Sequence, residues 1–200
     1  MKTFNFETRE EWLAARRGKI TGSRLKDLIT KRGTGRKIGF YELIAEKLGI
    51  PADDESAMDR GARLETEAIE QFVKETGKKV DTSLVIWTRD DDENIAISPD
   101  GFIGQAVAVE AKCLSSARHI EAWVTKEIPS EYQDQALQYF VVNDKLKTLH
   151  FVFYDPRLIA KPYFTLEMKR EDVKEKVEEY LTIEKQMIVD VNEIVNQLTF

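Results

Sequence analysis

The chain has 200 residues, 42% of them hydrophobic and 33% charged, which fits one globular domain with a sizeable core and excludes a disordered polymer. No apolar run approaches the roughly 20 residues that cross a bilayer, and the start, Met1-Lys2-Thr3-Phe4-Asn5-Phe6, lacks a signal-peptide core, so a cytoplasmic protein with no membrane contact is expected. The single cysteine, Cys113, excludes an internal disulfide and any four-cysteine metal site within one chain.

Thr8-Arg9-Glu10-Glu11 is a capping box ahead of Trp12-Leu13-Ala14-Ala15-Arg16, predicting a first helix that ends near Gly18. Ser23 then caps a second helix in which Leu25, Leu28 and Ile29 recur at helical spacing, and its N-terminus favours an anion. The net charge of −6 conceals an asymmetry: Arg16 to Lys37 carries nine basic residues against one acid, +8 in all, and the rest of the chain sums to −14. A basic stretch on an acidic body suits a polyanion-binding surface, although a solvated basic face has the same composition.

The Gly- and Lys-rich link Lys31 to Gly39 reads as an exposed loop, and a third helix is expected over Phe40 to Leu48. After the acidic link Pro51 to Glu55 comes a longer helix, about Met58 to Thr76, with Leu64, Ala68, Phe72 and Val73 as its apolar stripe and Gly77 as its stop. Strands are predicted at about Val80 to Thr88, Ile95 to Ser98 and Ala106 to Cys113, with an acidic turn over Arg89 to Asn94. Ser130-Glu131-Tyr132-Gln133 is a second capping box, opening a helix to about Val142 with Tyr132, Gln135, Ala136 and Tyr139 on one face. Leu149 to Tyr154 and Tyr163 to Met168 read as strands, and Asp172 to about Leu198 as a closing amphipathic helix. This order implies a mixed α/β core.

One strand places a Glu and a Lys where a core wants neither. Alternation puts Ala106, Ala108, Glu110 and Lys112 on one side and Val107, Val109, Ala111 and Cys113 on the other, one face for packing and one for chemistry. If Ile95 to Ser98 is the hairpin partner, Pro99 ends it and leaves Asp100 close to Glu110. Two carboxylates and an ammonium then converge, a set of hard ligands suited to Mg²⁺ or Mn²⁺. A solvated hairpin has the same pattern, but these charges are embedded in small and apolar residues, and buried charges are costly unless paired or metal-bound.

These residues form the signature written PD-(D/E)xK, and with four further blocks, six in all and in order, the chain resembles the phage lambda exonuclease family of alkaline exonucleases. The blocks are Trp12 with Arg16-Arg17-Gly18-Lys19-Ile20-Thr21-Gly22-Ser23, then Arg60-Gly61-Ala62-Arg63-Leu64-Glu65, Ser98-Pro99-Asp100-Gly101, Glu110-Ala111-Lys112-Cys113, Tyr132-Gln133-Asp134-Gln135 and Tyr154-Asp155-Pro156-Arg157. The resemblance implies a restriction-endonuclease-like core, a central mixed sheet flanked by helices, in one nuclease domain over 1–200. Helices in 8–50 would carry DNA-end contacts, about 58–168 the catalytic core, and about 172–198 a terminal helix.

It also implies metal binding by Asp100, Glu110 and the main-chain carbonyl of Ala111, with Lys112 beside the attacking water and Glu65 completing the acidic cluster; a surface carboxylate is the plainer reading of Glu65. Gln135 would steady the water or Lys112, although a surface amide looks identical in sequence. Arg16 and Ser23 fall where the family binds a terminal 5′ phosphate, Arg17 shares that work or faces solvent, and Met58 is either a wedge at the terminal base pair or helix-start packing. The family's second helix glutamine is replaced here by Leu137, with Gln138 one step on. His119 and His150 read as structural.

The activity so implied is 5′-to-3′ digestion of double-stranded DNA ends to 5′ mononucleotides with two Mg²⁺ ions, Mn²⁺ being an alternative. The 3′ overhang left would serve a single-strand annealing partner in phage recombination, and the enzyme would be a homotrimeric ring encoded by a phage or prophage in a bacterial host. An endonuclease or nickase on the same core is the rival within the class. A non-catalytic DNA-end-binding protein is the rival outside it.

Overall fold

The computed structural model describes residues 8–16, 36–51 and 56–198. Its first helix, α1 (Arg9–Arg16), starts as its sequence dictates: the Glu11 main-chain N–H donates to Thr8 Oγ1 at 3.2 Å and the Thr8 N–H donates to Glu11 Oε2 at 3.3 Å. The helix expected from Ser23, the loop up to Gly35 and most of the acidic link before α3 lie outside the described residues. Next come α2 (Ile38–Lys47) and α3 (Ala57–Thr76), the latter capped by Ser56, whose Oγ accepts the Asp59 N–H at 3.1 Å. Gly77 ends α3 at a φ of 67°, its N–H donating to the Val73 carbonyl at 2.8 Å, a left-handed cap that glycine adopts without a steric penalty.

The long strand expected over Val80 to Thr88 is mostly irregular. Its start is diverted by an Asx turn, in which Asp81 Oδ1 accepts the Ser83 main-chain N–H at 2.9 Å. What remains is an isolated bridge from Asp81 to Phe102 and a short β1 (Trp87–Thr88) paired antiparallel with β2 (Ala96–Ile97). The hairpin partner of the Glu110 strand is therefore not Ile95 to Ser98. It is β3 (Gly101–Ile103), after Pro99 has ended β2.

The main sheet has the order β3-β4-β5-β6, with β4 (Val107–Lys112) antiparallel to β3, parallel to β5 (Thr148–Tyr154), and β5 antiparallel to β6 (Tyr163–Lys169). A parallel pair needs a long crossover, and here it holds two helices. One is α4 (Ser116–Thr125), a stretch to which the sequence pattern assigned no element; Ser115 caps it by accepting the Arg118 N–H at 3.3 Å. The other is α5 (Gln133–Val142), preceded by a 3₁₀ turn over Ser130–Tyr132. Ser130 makes no side-chain cap there, because the turn after Pro129 supplies the entry, and Gln133 Nε2 instead donates to the Ile128 carbonyl at 3.2 Å.

Both faces of the sheet are covered. Tyr139 and Phe140 of α5 and Val177 of α6 (Arg170–Leu198) share a core with Ala108, Leu149, Phe151 and Phe153. On the other face Leu64, Ala68, Ile69 and Phe72 of α3 pack on Val109, Cys113 and Val152. The alternation along β4 holds, but the division into a packing face and a chemical face does not: β4 is a central strand, so Ala108 and Glu110 are buried under α5 as Val109 is under α3. Cys113 lies on the α3 side, away from Glu110, and burial raises its thiol pKa to about 12.

The start of α6 is pinned to the end of α5 by Arg170. Its Nε donates to the Leu146 carbonyl at 2.7 Å, and its Nη2 to the Phe140 and Asn143 carbonyls at 2.7 and 2.6 Å. Replacing Arg170 by Met keeps the stem and strands three half-buried acceptors, so urea unfolding should show a loss of about 2–3 kcal/mol at unchanged slope. A loss below about 0.5 kcal/mol would mean that water replaces the guanidinium.

Candidate active site

The register of the β3–β4 hairpin builds the centre. Gly101 faces Val109, so Asp100, one residue earlier, stands opposite Glu110. A Cβ on Gly101 would lie 2.5 Å from Val80 Cγ1, so glycine lets the Val80 segment close over the hairpin. Beyond Gly101 the β3 ladder stops, and Asp100 Oδ2 takes over by accepting the Ala111 main-chain N–H at 2.8 Å. A strand residue sends N–H and C=O to the same side, so the Ala111 carbonyl also faces the Asp100 edge.

Glu110 is 2% exposed, and its carboxylate is met by three side-chain donors. Oε1 accepts Lys112 Nζ at 2.5 Å and Gln135 Nε2 at 2.7 Å, and Oε2 accepts the Tyr139 hydroxyl. Lys112, two residues along the same face of β4, is held over the Tyr132 ring at 4.7 Å from its centroid. Tyr132, Gln135 and Tyr139 are brought over β4 by the turn and helix that lie in the crossover.

Asp100 is half-buried, and its carboxyl pKa is pushed up to about 7, first by burial and then by the Glu110 charge, with Glu65 adding; the Ala111 N–H and Lys112 pull the other way. Glu65 is exposed on α3 and lines, with Asp100, Ser98, Ile69 and Val80, a cavity of about 890 Å³. Asp100 and Glu110 are thus a pair, and among the described residues no three acidic, histidine or cysteine side chains converge as a ready metal cage. The donor chemistry nevertheless fits a hard divalent cation: two neighbouring carboxylates, with one lysine on Glu110, beside the main-chain edge that carries the Ala111 carbonyl.

Of the other residues singled out in the sequence, Arg16 and Met58 are helical in backbone with side chains outside the described set, and Arg17 and Ser23 lie outside the described residues. Gln138 turns away from Glu110 and donates to Glu184 Oε2 at 3.2 Å. His119 is fully buried, with Nε2 3.0 Å from the Lys161 carbonyl oxygen; His150 is buried beside Phe72; burial lowers the pKa of both. Asp155 is fully buried in the Tyr154-Asp155-Pro156-Arg157 block. Burial alone would raise its pKa, but the hydrogen bonds from Arg157 and Ser116 outweigh that and lower it. Tyr139 was visible as a member of the α5 face, but a tyrosine at helical spacing reads as core. Its contact with Glu110 depends on the parallel crossover, which no local pattern shows.

A family model described as the YqaJ-like viral recombinase domain matches residues 11–145, a span that includes Asp100, Glu110, Lys112 and all of α5. The chain belongs to the YqaJ-like viral recombinase family. Among solved structures it is similar to an alkaline exonuclease from Laribacter hongkongensis, at 29% identity over 94% of this chain and 99% of that one, with a TM-score of 0.57. The same exonuclease in complex with dAMP matches at 30% identity, 94% and 99% coverage and a TM-score of 0.56. No curated protein matches the chain. The fold of this YqaJ-like chain is accordingly of the PD-(D/E)xK type, a central mixed sheet flanked by helices.

The raised Asp100 pKa carries a pH signature. Folded Asp100 holds its proton more tightly than the unfolded residue, whose ordinary value is 3.8, so the stability it contributes is full below that value and is lost as pH rises through about 7. In chelator, calorimetry from about pH 4 to 8 should show wild type losing stability relative to Asp100→Asn across this window. Parallel curves for the two proteins would remove Asp100 as the source.

Proposed function

We propose that this YqaJ-like chain is a divalent-metal-dependent 5′-to-3′ exonuclease that digests one strand of double-stranded DNA from its ends. Its products would be 5′ mononucleotides and a 3′ single-stranded overhang used for recombination by strand annealing. The observation that carries the reading is the junction of Asp100, Glu110 and Lys112 at the end of β4, past its pairing with β3, in a chain similar over nearly its whole length to an alkaline exonuclease. That relative is also described in complex with dAMP, a deoxynucleoside monophosphate of the product class proposed here.

Asp100, Glu110 and the Ala111 carbonyl are the ligands in this reading, and Glu65 joins them from α3. Bound Mg²⁺, two ions in this proposal and replaceable by Mn²⁺, would polarise the phosphodiester and lower the pKa of the attacking water. Lys112, oriented by Glu110 and the Tyr132 ring, adds positive charge where the transition state gathers negative charge. Gln135 holds Glu110 and shares its Oε1 with Lys112, so it fixes both partners at once. Arg16 and Ser23 would take the terminal 5′ phosphate, the first with a planar fork and the second with a hydroxyl at the helix start expected from the sequence, Arg17 would share that work, and Met58 would be an apolar wedge against the terminal base pair.

The proposal extends to a homotrimeric ring enclosing the duplex, which would keep the enzyme on DNA between cuts, and to a single-strand annealing protein as partner. The setting would be the cytoplasm of a bacterial host carrying a phage or prophage.

Linear duplexes labelled at either end, with and without 5′ phosphate, give the direct test. Wild type with Mg²⁺ should release labelled mononucleotides from the 5′ end, leave a closed circular duplex intact and stop in chelator. Lys112→Ala should lose cleavage by at least about 10³-fold while binding duplex normally. Cutting of the closed circle would establish an endonuclease instead. Arg16→Glu should weaken the preference for a 5′ phosphate over a 5′ hydroxyl more than it slows later steps of digestion, and equal loss on both ends would make Arg16 a general DNA contact.

A further inference from the structure

The 3₁₀ turn and α5 present Tyr132, Gln135 and Tyr139 to β4, and the proposed chemistry uses Lys112 over the first and the amide of the second. The third has no part in it. Tyr139 is fully buried, its ring edge-on to Trp87 at 6.4 Å, so a core residue with a satisfied hydroxyl is the plain interpretation. The hydroxyl's placement says more. It donates to Glu110 Oε2, the oxygen that neither Lys112 nor Gln135 touches; the Ser98 carbonyl is at 3.5 Å, and the Asp100 main-chain N–H approaches the same phenol oxygen. Tyr139 therefore bridges the two chain segments that carry the candidate carboxylates.

We infer that Tyr139 is a positioning residue: its hydroxyl ties the Glu110 carboxylate to the Ser98–Asp100 segment and so fixes the spacing of the two oxygen ligands. This rests on the proposed metal role of Asp100 and Glu110. Lys112 and Gln135 restrain one oxygen of Glu110, which leaves the carboxylate free to rotate about that point; the Tyr139 bond restrains the other and fixes the plane. A fixed pair of ligands matters most to an ion that demands near-ideal octahedral geometry, which is Mg²⁺, and least to Ca²⁺, whose coordination is adaptable. Residues that orient metal ligands in this way commonly change metal affinity by about 10–100-fold when altered.

The test is metal binding, not turnover. Thermal unfolding of chelator-treated protein is followed across Mg²⁺ and Ca²⁺ titrations, because the upward shift with concentration yields each dissociation constant. Wild type is compared with Tyr139→Phe, which keeps the ring, and with Glu110→Gln. Tyr139→Phe should bind Mg²⁺ at least about tenfold more weakly and lose less for Ca²⁺. Unchanged Mg²⁺ affinity, or an equal loss for both ions, would overturn the positioning role while leaving the metal reading intact. A wild type whose stability responds to neither ion, or a Glu110→Gln protein that responds as wild type does, would overturn both. If Tyr139→Phe does not fold, ¹³Cζ-labelled tyrosine in the unaltered chain serves: the Tyr139 resonance must move on Mg²⁺ addition, and a resonance that stays fixed contradicts the inference.

Discussion

A carboxylate at 2% exposure in the middle of a sheet is the constraint around which this molecule is arranged. Leaving such a charge uncompensated costs several kcal/mol, so the chain must deliver donors to it from more than one direction. It does so with one cation from the same strand face and two neutral donors from one helix. The requirement ties β4 to α5, and α5 to β4 requires the parallel crossover through α4. Much of the architecture follows from what Glu110 needs.

The same arrangement explains why the site sits at an edge. β3 pairs with β4 only as far as Gly101 opposite Val109, so the last residues of β4 keep β5 on one side and, among the described residues, have no strand on the other. Asp100 fills part of that gap by taking the Ala111 N–H, and its own carboxyl is left crowded against Glu110. A protein built only for stability would not keep two carboxylates near each other with one lysine paired to one of them. The proposed phosphate chemistry gives a reason for it, since a divalent cation there would restore the charge balance.

Local chemistry was legible where it acts locally. The Thr8 capping box, the glycine stop of α3, its apolar stripe and the alternation of Glu110 and Lys112 on one side of β4 could all be read from neighbouring residues. The nearness of Asp100 to Glu110 was also read, but for the wrong strand: Ile95 to Ser98 is more apolar than Gly101 to Ile103, yet Pro99 and the missing Cβ of Gly101 decide the pairing. α4 is not legible in the sequence because Ser115 to Thr125 mixes small, basic and aromatic residues without a continuous stripe; its buried Ala117, His119 and Ile120 become intelligible only against Tyr41 of α2 and Phe164 of β6. Tyr139 needed the crossover before its hydroxyl acquired a meaning. Local propensity carried the elements, and tertiary contact assigned their partners.

The central claim is that Asp100, Glu110 and the Ala111 carbonyl together hold a divalent cation. Crystals grown without metal and then soaked in Mn²⁺ would test it by anomalous scattering. The account predicts a peak bonded to both carboxylates and to the Ala111 carbonyl oxygen, with Lys112 alongside. A fully soaked crystal with no peak there, or with its strongest peak on other residues, would contradict it.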